Sequence, residues 1–148
     1  MPLIRVQTED FDTSDIVQAL SSARHDVGAI VSFTGLVRDL TQGGLRSLTL
    51  EHYPAMTEKA ITAIVEAATK RWSLQDVAVI HRVGELKPSD QIVLVVTLSA
   101  HRKDAFDACE YIMDYLKSRA PFWKKEKGAD GEDWVAAKDT DEDALKRW

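Results

Sequence analysis

The chain has 148 residues and a formal net charge of −5, which argues against general nucleic-acid binding because such domains are usually basic. Its 45% hydrophobic and 29% charged residues are typical of a globular protein, and the length predicts one domain spanning residues 1–148. Cys109 is the only cysteine, which excludes an intramolecular disulfide and a thiol-rich metal site.

No segment of the sequence is typical of membrane insertion. The first residues, "MPLIRVQTEDF", lack the apolar stretch of a signal peptide. No run of about 18 apolar residues is present that could span a bilayer. We therefore expect a cytoplasmic protein that does not contact a membrane.

The first third of the chain predicts a helix followed by two strands. Asp12 or Thr13 is a plausible cap for a helix over residues 14–23. Residues 28–39 predict a strand that is apolar and β-branched up to Gly35, and Gly35 itself indicates a bulge or a close backbone approach. The turn at 41–44 then predicts a hairpin, with 45–53 as the returning strand.

The middle of the chain repeats this order. Apolar residues at helical spacing predict a helix over 57–72 that Thr57 caps. Two strands, 76–86 and 91–100, follow, and their short connection favours antiparallel pairing. Residues 92–98 are apolar on both faces, which predicts a central position in the sheet.

The last third predicts a long helix and a hairpin. The helix begins near Arg102 and ends at Ala120, before Pro121. Its predicted inward face comprises Phe106, Cys109, Ile112, Met113 and Leu116. Strands at 122–127 and 132–136 and a short helix in the tail complete an α+β protein with antiparallel-dominated sheets and two long helices.

Cations gather around the end of the long helix, which is unexpected in an acidic chain. Lys117 lies at the end of that helix, and Lys124 follows the aromatic pair at 122–123. Pro121 reverses the chain between them, so the two lysines can face one cavity. The alternative is that they satisfy the last helix carbonyls and solvate an edge strand.

A second group of polar residues lies where a predicted strand meets the long helix. His101 and Arg102 are placed there, where helix N-terminal amides favour anions. Alternatively, His101 is a cap and Arg102 pairs with a nearby aspartate. Arg38, at the end of a strand, is by itself typical of a surface arginine. The chain has neither an HExxH nor a paired CxxC spacing, so we predict no metal site.

Read together, several stretches resemble one known family. "FTGLVRD", "LTLEHYPAMTEKA", "VIHRVGEL", "SAHR" and "MDYLKSRAPFWKKE" occur in this order, and the chain closes on "KRW". Over nearly its whole length it resembles the large, catalytic subunit of molybdopterin synthase. The resemblance implies an α/β hammerhead fold and a sulfurtransferase of molybdenum-cofactor biosynthesis that needs no cofactor.

The same resemblance implies the substrates and partners. Such enzymes convert cyclic pyranopterin monophosphate (precursor Z) into the dithiolene-bearing molybdopterin. The sulfur arrives as a thiocarboxylate on the C-terminus of a small ubiquitin-like subunit. A homodimer of large subunits lies at the centre of a heterotetramer. Two rival interpretations are a non-catalytic module that binds an anionic metabolite or a protein tail, and a structural subunit that dimerises through its basic hairpin.

By matching motifs, the resemblance also implies roles for individual residues. Lys117 and Lys124 match the catalytic lysines. Lys138 falls where some relatives have an arginine that reaches the neighbouring subunit's site. The implied substrate-binding residues are Arg38, His101, Arg102, Lys117, Lys124, Lys125 and Glu126.

Overall fold

Two four-stranded sheets and two long helices form the frame of the protein. The computed structural model describes residues 2–40, 42–128, 131–135 and 139–148. The strands are β1 (Leu3–Gln7), β2 (Ala29–Leu36), β3 (Leu45–His52), β4 (Asp76–Arg82), β5 (Gly84–Leu86), β6 (Gln91–Ser99), β7 (Phe122–Gly128) and β8 (Gly131–Val135). The helices are α1 (Thr13–Ser21), α2 (Met56–Arg71), α3 (Arg102–Arg119) and α4 (Asp139–Ala144), followed by a 3-10 turn, Leu145–Arg147.

The first sheet has the order β1-β4-β6-β2. Strand β6 is an inner strand, as its apolar pattern predicted, and it is antiparallel to both β4 and β2. Helices α2 and α3 cover one face of this sheet, and α1 packs on the other. Strand β1, which the sequence did not predict, pairs in parallel with β4. Because β4 is far from β1 along the chain, no local sequence pattern indicates that the two strands pair.

The second sheet has the order β5-β3-β7-β8, and all its pairs are antiparallel. The predicted final hairpin is present as β7 and β8. Because β1–β4 is the one parallel pair among the described strands, the α+β class with antiparallel-dominated sheets is confirmed.

Two strand predictions were wrong. Strands β2 and β3 do not form a hairpin: β2 pairs with β6 at the edge of the first sheet, whereas β3 lies in the second sheet, where it pairs with β5 and β7. The predicted strand 76–86 is divided between the two sheets as β4 and β5. Gly84 has φ +89°, a conformation that glycine adopts without steric cost, and it turns the chain from one sheet to the other.

Two helix details were also wrong. Phe106 was predicted to face inward but is 60% exposed. The buried stripe of α3 runs through Ala105, Cys109 and Ile112, so the preceding residue, Ala105, faces the core instead. Thr57 is not the cap of α2, which begins one residue earlier, after Ala55. By contrast, Asp12 caps α1 as predicted, accepting a hydrogen bond from the Asp15 amide at 3.1 Å.

Cys109 lies in the core between α3 and the first sheet. Removal from water raises the pKa of its thiol to about 12, so the thiol is protonated at neutral pH. Of the helices in the described ranges, none is both long and apolar enough to cross a membrane.

Candidate functional site

A cavity of about 320 Å³ lies where the two sheets meet the end of α3. Its volume is in the range of pockets that hold small organic ligands. Most of its wall is apolar, and the charged side chains lie near the α3–β7 turn and on α4. The lining residues include Phe33, Leu36, His81, Met113, Lys117, Phe122, Trp123, Lys124 and Asp141.

Lys117 and Lys124 both line this cavity, which is the first of the two arrangements that the sequence left open. Helix α3 buries Leu116 and leaves the neighbouring Lys117 exposed on its last turn. Pro121 then reverses the chain, and β7 returns along β3 with Lys124 opposite Leu50. The cations therefore come from two adjacent elements that one tight turn connects.

A buried hydroxyl group holds this turn in place. The Thr57 Oγ1 donates to the Pro121 carbonyl oxygen at 3.0 Å and accepts from the Tyr53 amide at 3.1 Å. The first bond joins residues 64 positions apart, linking the start of α2 to the turn between the two lysines. Sequence reasoning missed this role, because a threonine near a helix start is typical of a cap.

His81, at the end of β4, also lines the cavity and was absent from the predicted site. Its ring stacks on Phe122, with centroids 3.9 Å apart and planes 18° from parallel. Its Nδ1 lies 2.9 Å from the Arg82 carbonyl oxygen. Burial lowers the pKa of His81 from 6.5 to about 4, and the positive charges of Lys117 and Lys124 add to this effect. The imidazole is therefore neutral near pH 7.

Lys125 and Glu126 do not line the cavity. Successive side chains on a strand point to opposite faces, so Lys125 is directed away from the side that carries Lys124. Its ammonium forms an ion pair with Glu132 at 2.8 Å and lies 5.4 Å from the centre of the Trp134 ring. Glu126 lies opposite Leu48 in the β3–β7 register and is half-buried.

Arg38, His101 and Arg102 are exposed and lie at two different ends of the first sheet. Arg38 follows β2 two residues after Leu36, which lines the cavity. His101 and Arg102 begin α3, about 22 Å along the helix axis from Lys117 at 1.5 Å per residue. One copy of the chain therefore does not bring these predicted site residues together.

The structure also tests the alternative interpretation of His101 and Arg102. His101 occupies the N-cap position of α3, but its side chain makes no capping hydrogen bond. Asp107 forms its ion pair with Lys103, at 2.6 Å, rather than with Arg102. Lys138 lies outside the described residues. Within the described ranges, no group of three or more His, Cys, Asp or Glu side chains is arranged to hold a metal ion.

Comparison with known proteins finds that this chain is similar to the members of one family. A family model described as MoaE protein matches residues 6–119. The chain is 59% identical over 149 aligned residues to the molybdopterin synthase catalytic subunit of Ralstonia nicotianae, covering 100% of this chain and 85% of that relative.

Solved structures give the same result. The molybdopterin biosynthesis MoaE protein from Burkholderia ambifaria superposes with a TM-score of 0.87 at 53% identity, covering 100% of this chain and 98% of that one. Molybdopterin synthase from Staphylococcus aureus superposes with a TM-score of 0.81 at 35% identity, covering 88% and 95%.

Proposed function

We propose that this chain, which belongs to the MoaE family of molybdopterin synthase catalytic subunits, transfers sulfur to cyclic pyranopterin monophosphate to form the molybdopterin dithiolene. The sulfur donor is the thiocarboxylated C-terminus of a small ubiquitin-like subunit. The observation that carries this proposal is the mostly apolar cavity that Lys117 and Lys124 share. A single domain over residues 1–148, a cytoplasmic location and the name α/β hammerhead belong to the same proposal.

The chemistry requires cations rather than a nucleophile in this chain. The thiocarboxylate sulfur forms a bond to a side-chain carbon of the pterin, and a carbon–oxygen bond of the cyclic phosphate breaks, so that a phosphate oxygen leaves as an anion. Water then hydrolyses the resulting thioester, which leaves one sulfur on the pterin and returns a carboxylate to the partner. A second thiocarboxylated partner supplies the second sulfur of the dithiolene after the spent partner has left. A fixed donor aimed at such developing charge stabilises the transition state by about 3 to 4 kcal/mol.

The two lysines divide this work. Lys117, on the last turn of α3, is the proton donor and acceptor or the electrostatic partner of the thiocarboxylate carbonyl. Lys124 and Arg38 hold the phosphate and the pterin. Lys125 and Glu126 belong to the proposal through the matching motif alone, because neither lines the cavity. The apolar wall, including Phe33, Leu36 and Met113, suits both a planar ring and the glycine-rich tail of a ubiquitin-like protein.

A homodimer explains the position of His101 and Arg102. Strand β2 is an edge strand, so it is available to pair with the β2 of a second copy. The start of β2 lies beside the end of β6, close to His101, whereas the end of β2 lines the cavity. Antiparallel pairing about a two-fold axis would place the start of one β2 beside the end of the other. Arg102 of each copy would then approach the cavity of its neighbour.

A reconstituted assay tests the activity. Purified chain, thiocarboxylated small subunit and precursor Z are mixed, and molybdopterin is detected as its fluorescent oxidised derivative. Wild type should form product, and Lys117→Ala should form almost none while still binding the partner. Lys127→Ala, a change at an exposed lysine of β7 that does not line the cavity, should behave as wild type. A folded, partner-bound wild type that forms no product would favour a binding module instead.

Mixed dimers test the shared site. Lys117→Ala and Arg102→Ala homodimers should both be nearly inactive. In a heterodimer of the two variants, one cavity carries both substitutions and the other carries neither, so mixing should restore activity toward half of the wild-type level at most. Mixtures that stay inactive after subunit exchange would show that Arg102 does not serve the neighbouring cavity.

A further inference from the structure

His81 stands out because it is a neutral group among cations on the cavity wall. It comes from β4, in the centre of the molecule, and its ring cannot rotate freely because Phe122 stacks on it and Nδ1 contacts the Arg82 carbonyl oxygen. We propose that His81 is a specificity-determining residue, whose Nε2 accepts a hydrogen bond from a ring N–H or amino group of the bound heterocycle. This inference rests on the proposed function and names the part of the substrate that the histidine recognises.

The tautomer follows from the contact with the backbone. A carbonyl oxygen only accepts hydrogen bonds, so the 2.9 Å contact to Arg82 requires the proton to be on Nδ1. A neutral imidazole carries one ring proton, and its other nitrogen is an acceptor. Nε2 therefore carries a lone pair at neutral pH, and the Nδ1 hydrogen bond and the stacking on Phe122 together hold the ring in one orientation.

The charged groups around the ring keep it in this state. Lys117 on α3, Lys124 on β7 and His52 on β3 all disfavour a second positive charge on His81. Asp141 on α4 also lines the cavity, but it is not among the groups that shift the pKa of His81. The lysines thus have a second effect, because they preserve the acceptor character of the histidine.

The remaining polar side chains of the wall complement this acceptor. Lys117, Lys124 and Trp123 are donors only, so they suit the phosphate and the thiocarboxylate. Among the described lining residues, His81 and Asp141 are the side chains that can accept a hydrogen bond from a ligand near pH 7. A pterin has an amino group and a ring N–H at fixed positions that need acceptors, whereas inorganic phosphate is bound mainly through its acceptor oxygens. His81 therefore distinguishes the heterocycle from a simple anion.

The test is a binding comparison with two probes, pterin and inorganic phosphate, on the full-length protein. His81→Phe keeps a flat ring against Phe122 but removes the acceptor, and it should lower pterin affinity about tenfold or more, because a donor is left unpaired. His81→Gln restores an acceptor oxygen and should retain pterin affinity within about threefold of wild type. Phosphate affinity should be unchanged in both variants. His52→Phe is the matched control, since His52 lies near His81 but does not line the cavity, and it should bind both probes as wild type does.

The outcomes separate this inference from the proposed function. Suppose that wild type binds pterin. If His81→Phe binds pterin equally well, or if its phosphate affinity falls as much as its pterin affinity, His81 does not determine specificity for the heterocycle. If wild type binds no pterin, the inference fails, while product formation in the reconstituted assay still decides the proposed function. Nitrogen-15 NMR of wild type gives a measurement that needs no variant. The chemical shift of the His81 Nε2 should change on addition of pterin and stay the same on addition of phosphate. An Nε2 chemical shift that does not change with pterin would refute the inference.

Discussion

The hydroxyl of Thr57 offers the sharpest test of how the fold builds the cavity. Thr57→Val removes the oxygen that accepts from the Tyr53 amide and donates to the Pro121 carbonyl, while the side chain keeps its branched shape. The Thr57 side chain is fully buried, and its two bonds lie in part-buried surroundings. A lost hydrogen bond costs about 1 kcal/mol net, and incomplete hydration of the two partner groups adds to this, so we expect a loss of about 2 to 3 kcal/mol.

Urea denaturation measures this loss directly, and the melting temperature should fall by about 5 to 10 °C for a chain of this size. Thr62→Val is the matched control on the same helix, because the Thr62 hydroxyl bonds only to the exposed Glu58 carbonyl oxygen, at 2.9 Å. It should change stability by less than about 0.5 kcal/mol. Equal unfolding midpoints for the two variants would refute the claim that Thr57 holds the turn between Lys117 and Lys124.

Three further predictions concern other parts of the molecule. The folded-state pKa of His81, about 4, lies below its ordinary value of 6.5, so the unfolded chain binds more protons and stability should fall as the pH drops from 6.5 to 4. Denaturation of His81→Phe across this range should lack that component, about 1 to 3 kcal/mol, and identical pH profiles would contradict the assigned protonation state. Gly28→Ala should cost at least about 3 kcal/mol, because its Cβ would lie 2.2 Å from the Ala100 carbonyl oxygen. Gly44→Ala, which meets nothing within 4 Å, should cost only about 1 kcal/mol from its positive φ, and the reverse order in urea melts would disprove the steric reasoning. At pH 8 a thiol pKa of about 12 leaves about one Cys109 in ten thousand ionised, so a chromogenic aromatic disulfide should react with the protein only after unfolding in guanidinium chloride. Rapid reaction of the folded protein would show that the thiol is not enclosed.

Local patterns predicted the elements that present the lysines. The end of α3 follows from Pro121, which disfavours a helical conformation in the residue before it, and the reversal places Lys117 and Lys124 on one cavity. The central position of β6 likewise follows from its apolar run. These features depend on a few neighbouring residues, so the sequence was sufficient.

The features that the sequence did not predict are long-range. Nothing near Gly84 indicates that the strand before it and the strand after it join different sheets. His81 gains its importance from Phe122, which reaches it through the pairing of β7 with β3, and Thr57 from Pro121. The periodicity of α3 was detected, but its phase was misjudged at Phe106, because whether position 105 or 106 faces the core depends on what packs opposite.

The positions of the cavity-lining residues along the chain have a consequence for the order in which the site is completed during translation. These residues are spread from Phe33 to Asp141, and the bond from Thr57 to Pro121 must close a long loop. A chain emerging from the ribosome completes the first sheet and most of α3 before it exposes Lys124. Lys124 is therefore translated after the first sheet and most of α3, so the cavity gains its second lysine late in synthesis. A polypeptide that stops at residue 119 has Lys117 without Lys124, so it cannot hold an anionic ligand between the two lysines.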